Sequence, residues 1–158
     1  MEVAFAALEG SALGGWVRDS SPWTYGLVNT AHVLGAALLL GAVAVLDLRL
    51  LGMWRAAPIG ALTVPTTRVA GAGLGLALVS GVPLLAAQAT EYLTNPIFWA
   101  KLAAVGLGGL NLLLLHVSPA WRAVGPEAPV ERRLALAGGF SLLLWLTAVS
   151  AGRMIAYW

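Results

Sequence analysis

Residues 25–52 read YGLVNTAHVLGAALLLGAVAVLDLRLLG, and this stretch decides the fold. Between His32 and Asp47 every residue is apolar or glycine. With its flanks the run is long enough to cross the ~30 Å core of a bilayer, which takes about 20 helical residues. A backbone in hydrocarbon has no water to bond, so helix is the expected conformation. Three further stretches read the same way, at about 67–89, 96–117 and 134–157. The period-two alternation of a barrel strand is absent. The expected fold is all-α, an integral membrane four-helix bundle forming a single domain over residues 1–158.

Composition agrees. Of 158 residues, 59% are hydrophobic and 10% charged, and the mean hydropathy is +0.85. A soluble domain carries about 25% charge, so a soluble enzyme, a disordered tail and a nucleic-acid-binding module are all excluded. With no cysteine, disulfides, thiolate metal sites, iron–sulfur clusters and covalently attached c-type haem are excluded as well. His32 and His116 are the only imidazoles.

Outside the spans, residues 2–18 mix Val3, Phe5, Leu8, Leu13, Trp16 and Val17 with Glu2, Glu9 and Arg18. The segment lacks the cationic start and clean apolar core of a signal peptide and reads as a short interfacial helix. Pro58 and Pro65 are expected to break the first connector, Asn95-Pro96 to open the third helix, and Pro119, Pro126 and Pro129 to break the last loop. The first and last connectors hold Arg49, Arg55, Arg68, Arg122, Arg132 and Arg133, against Arg18, Lys101 and Arg153 on the other side. By the positive-inside rule the two arginine-rich connectors face the cytoplasm and both termini face the periplasm or exterior.

Polar residues inside a span are expensive, and so they mark function. At 1.5 Å per residue, His32 lies roughly 10 Å below the outer end of its helix and His116 roughly 30 Å from the outer start of its own, a depth difference of ~15–20 Å. One haem shared by both histidines is therefore not expected; each serves its own site or one is structural. The outer level gathers Asn29, His32, Lys101, Arg153 and Met154. There His32 is a candidate ligand for a metal or haem iron, Met154 or Lys101 a second axial ligand, and Arg153 a partner for a propionate. Gly35, three residues along, is expected to leave room for a flat macrocycle. The competing reading has Lys101 and Arg153 snorkelling to the interface. The inner level gathers Asp47, Asn111 and His116. Asp47 returns to within about 60° of the His32 face; it pairs with Arg49 or Arg68, caps the helix end, orients His116, or accepts protons from the cytoplasm. His116 either ligates a second iron or bonds a carbonyl. Gly71-x-x-x-Gly75 is a weak dimerisation pattern.

The strings NTAHVLG (29–35), DLRLLG (47–52) and NPIFWAK (95–101), Asn111 with His116, and the ending GRMIAY (152–157) resemble a bacterial family of small four-helix integral membrane proteins over nearly the whole chain. More distantly the chain resembles the copper-resistance D proteins and the membrane haem-dependent protoporphyrinogen oxidases. In the latter a histidine on the first membrane helix binds haem b and a lysine on a later helix is essential; His32 and Lys101 occupy comparable places. The resemblance implies a membrane-embedded haem b protein with one or two haems, moving electrons to or from a quinone or redox partner, or oxidising a porphyrin-like substrate. The other readings are a copper or small-solute transport protein and an accessory subunit of a membrane complex, with a homodimer as a milder form of the last.

Overall fold

The computed structural model describes residues 1–122 and 130–158, so the breaks expected at Pro126 and Pro129 lie outside the described residues. Within them all regular structure is helical. Helices α1 (Glu2–Glu9) and α2 (Ala12–Asp19) precede α3 (Pro22–Leu50). Next come α4 (Ile59–Ala87), the short α5 (Ala89–Leu93), α6 (Pro96–Val117), α7 (Pro119–Arg122) and α8 (Arg132–Met154), which runs into a 3-10 turn at Ile155–Tyr157. Helices α3, α4, α6 and α8 are long and apolar enough to cross a membrane.

Local chemistry sets their ends. Ser21 accepts the Trp23 N–H at 3.3 Å and Pro22 takes the first helical position of α3, where a missing N–H costs nothing. At the other end Gly52, at φ 99°, lets the chain reverse. The Gly52 N–H then reaches the Arg49 carbonyl and the Met53 N–H the Leu48 carbonyl, a Schellman closure that only a left-handed residue permits. Asn95 caps α6, its Oδ1 accepting from Ile97 at 2.9 Å and Phe98 at 3.2 Å, with Pro96 next.

The second span differs from expectation. It begins at Ile59, with Pro58 as its N-cap, and runs through both Pro65 and Pro83. Pro65 therefore lies inside a helix instead of breaking a loop. Around it Thr63 and Thr66 donate their hydroxyls to the Ile59 and Leu62 carbonyls, while the bond that proline removes is the one to the Ala61 carbonyl.

The bundle is ordered α4–α3–α8–α6. The most extensive interface is α3 on α4, followed by α6 on α8 and α3 on α8, while α4 and α6 make no extended contact. That leaves a seam along one side. The α3–α4 crossing is close because it is built on glycine. A Cβ at Gly35 would stand 2.6 Å from the Ala77 nitrogen, and one at Gly73 2.6 Å from the Leu39 nitrogen. On the opposite interface the Trp145 indole covers Gly108 and is itself buried. The interior holds one cluster around Leu39, Val43, Ala104, Leu144 and Trp145 and another around Leu50, Ile59, Leu115 and Leu134. Outward residues such as Val79, 74% exposed, and Leu143, 61% exposed, are apolar as well. That is the pattern of a protein whose solvent is hydrocarbon.

The N-terminal segment is two helices, split at Gly10–Ser11, and it is docked. The Glu9 carboxylate accepts the Thr90 N–H at 2.7 Å and the Thr90 hydroxyl at 2.6 Å. Arg18 donates to the Glu9 and Ala87 carbonyls. Together these tie α1 and α2 over the end of α4.

Candidate functional site

Two polar levels occupy the bundle, one near the chain termini and one near the arginine-rich connectors. At the first, His32 projects from α3 onto α4. Its Nδ1 lies 2.8 Å from the Ala77 carbonyl oxygen, with the Ser80 hydroxyl 3.3 Å away. A carbonyl can only accept, so Nδ1 holds the proton and the neutral ring presents Nε2 as an unprotonated donor. Ser80 sends its own proton to the Leu76 carbonyl. Gly81 makes the berth: a Cβ there would stand 3.0 Å from His32 Cε1. The ring is thus held by a second helix in one tautomer and one orientation, as ligating histidines are.

Lys101 approaches from α6. Its stem and Nζ lie about Gly152 of α8, 3.5–3.6 Å from where a Cβ would be. The remaining outer candidates are not gathered with them. Asn29 is exposed. Met154, 47% exposed, sits two residues past Gly152, about 200° round the helix from the side that holds Lys101. Arg153 hydrogen-bonds the Tyr157 hydroxyl and stacks its guanidinium 4.8 Å from that ring's centroid. Gly35 does not leave room for a macrocycle: its open side is filled by the Ala77 nitrogen and the Gly73 carbonyl.

The inner level is differently built. Asp47 is 3% exposed, and its Oδ2 has no hydrogen-bond partner. It pairs with neither arginine proposed for it. Arg49 is buried and gives its guanidinium to the Ala57 carbonyl at 2.9 Å and the Arg55 carbonyl at 3.2 Å, while Arg68 is exposed. Nor does Asp47 orient His116. That imidazole bonds the Leu112 carbonyl of its own helix through Nδ1 at 2.8 Å, packs on Trp121 at 5.1 Å, and leaves a buried Nε2 without a partner. Asn111 gives its amide N–H to the Ala137 carbonyl at 3.1 Å. Among the described residues no three His, Cys, Asp or Glu side chains converge.

A family model matches residues 4–158. The chain belongs to DUF6644, a family of unknown function. No curated protein and no solved structure matches it. What this DUF6644 chain does must therefore be argued from its own residues. Sequence reasoning reached His32 and Lys101 but missed Ser80 and Gly81, which hold the imidazole, and Thr67 and Ser141, which stand near Asp47. The only available signal was a hydroxyl or a glycine inside an apolar span, and such residues are common in membrane helices because they can bond their own backbone.

Proposed function

We propose that this DUF6644 protein is a membrane-embedded, b-type haem-binding redox protein, with His32 as the principal iron ligand. The observation that carries the reading is the His32 imidazole itself, fixed by Ala77 with Nε2 free. Iron needs that nitrogen deprotonated and aimed, and the α4 backbone supplies both conditions. Bound haem b supplies one-electron chemistry, whose potential the axial ligands and local burial set. Lys101, a cation on α6 at the same level, would favour the more reduced, less positive state of a nearby centre. The α4–α6 seam gives a flat or quinone-like molecule lateral access from the lipid. His116, with its unpartnered Nε2, is the residue for a second, inner haem. The similar placing of a histidine and a lysine in the haem-dependent protoporphyrinogen oxidases supports the same reading. The proposed setting is a bacterial inner membrane, with the arginine-rich connectors cytoplasmic and both termini periplasmic. Open faces at Gly71 and Gly75, with nothing within 4 Å, leave space for a second copy.

Reduced-minus-oxidised spectra of the detergent-purified protein, expressed with full haem supply, test this. Soret and α-band changes are expected, and His32→Ala removes them from the outer site while preserving helicity. Spectra without either band in the wild type overturn the reading.

A further inference from the structure

The inner polar level holds a feature that iron chemistry at His32 does not use. A cavity of about 110 Å³ lies between α3, α4, α6 and α8, and its polar lining is Asp47, Thr66, Thr67, Asn111 and Ser141. Two of these present buried oxygens with no hydrogen-bond partner, Asp47 Oδ2 and Thr67 Oγ1. Ser141 is buried with its hydroxyl beside the Asp47 carboxyl. Asn111 has committed its N–H to Ala137, so Oδ1 is the end left to accept. Thr66, by contrast, spends its hydroxyl on the Leu62 carbonyl.

A carboxylate in this position must be neutralised, because a bare charge inside a bilayer-spanning bundle is costly. No basic side chain does it: Arg49 is held by the connector carbonyls and Arg68 is exposed. The remaining means are a proton or a bound cation. A proton on Asp47 would satisfy one oxygen and leave the Thr67 hydroxyl and the cavity volume unexplained. The donors are all oxygen, which selects a hard ion over copper or zinc. They carry one negative charge among them, which balances a monovalent ion and leaves a divalent one uncompensated. The volume admits an ion with one or two waters, at about 30 Å³ per water.

We infer that this cavity is a binding site for a monovalent alkali-metal cation, with Asp47 as its anionic ligand and Thr67, Ser141 and Asn111 as neutral oxygen ligands. The site is separate from His32 and stands whether or not haem binds there.

The test is thermal unfolding of the full-length protein in detergent, titrated with sodium chloride against choline chloride at constant ionic strength. A saturable rise in melting temperature with sodium and none with choline is expected. Asp47→Asn keeps the shape, removes the charge and abolishes the sodium response; Thr67→Val moves its midpoint to about tenfold higher sodium. If Asp47→Asn does not fold, the Thr67→Val midpoint decides, and an unshifted midpoint overturns the inference. Equal melting in sodium and choline, with stability that follows pH alone, overturns it too and leaves Asp47 as a protonated acid. An undiminished sodium response in Asp47→Asn does the same.

Discussion

His32 and His116 each tie Nδ1 to a backbone carbonyl at 2.8 Å, yet the two bonds do different work. The carbonyl that holds His116 belongs to its own helix, so the bond fixes only a rotamer. The carbonyl that holds His32 belongs to the neighbouring helix, so the bond fixes the ring against a second body. The berth at Gly81 follows from that. Gly81→Ala places a methyl 3.0 Å from His32 Cε1, so the imidazole must give by a few tenths of an ångström against its bond to Ala77. Its expected outcome is a weakened or lost haem spectrum with an unchanged circular dichroism spectrum, whereas Gly75→Ala leaves both unchanged. Arg49 is a second residue whose geometry is specific. It is 7% exposed and reaches two connector carbonyls from separate nitrogens. A lysine cannot form that fork, so Arg49→Lys costs about 1–3 kcal/mol in unfolding experiments, the value of one buried, charge-assisted hydrogen bond.

Among the elements, the membrane helices were legible because unbroken apolar runs admit only one conformation in lipid. Their contacts were not. Helices that are apolar on every side give no stripe to mark the inward face, so the pattern did not say which of Gly35, Gly71, Gly73 and Gly75 face a neighbouring helix. In the bundle they divide sharply. A Cβ added at Gly35 or Gly73 would stand 2.6 Å from a backbone nitrogen of the facing helix, and one added at Gly71 or Gly75 would meet nothing within 4 Å. Alanine at either of the first two forces α3 and α4 apart and destabilises by about 1–3 kcal/mol, the usual scale of overpacking. Alanine at either of the other two changes stability little, and thermal unfolding of the four variants measures the contrast. The same blindness to inward faces explains Gly35, read as space for a cofactor when it is the closest approach of two backbones. Pro65 misled for a different reason: a proline costs a helix one hydrogen bond, here to the Ala61 carbonyl, and a long membrane helix carries that loss without ending.

For the molecule as a whole, the docked N-terminal segment brings a pH dependence. Hydrogen bonds from Thr90, its hydroxyl first and then its backbone N–H, hold the Glu9 carboxyl below its usual value of 4.5, with the Arg18 charge adding to them. A carboxyl whose pKa falls on docking stabilises the docked form above its free value and loses that contribution as pH drops through the docked value. The Thr90 amide is therefore protected from hydrogen exchange at neutral pH and released as pH falls through the lowered, docked value of the Glu9 carboxyl, and Glu9→Ala releases it at every pH. At this scale the polar levels were partly legible. Counting residues along two helices separated His32 from His116, because depth follows from a fixed rise. The cavity at Asp47 was not legible, because it exists only where four helices meet.

The missing contact between α4 and α6 also bears on how the chain is made. Its two largest interfaces each join successive membrane helices, α3 with α4 and α6 with α8, so each half is a hairpin of neighbours in sequence. Contacts of that kind close early and quickly. The N-terminal hairpin can pack its glycine crossing as soon as α4 leaves the ribosome, before α6 emerges from it. The second hairpin then has one edge to find, α8 against α3, and no fourth side to close.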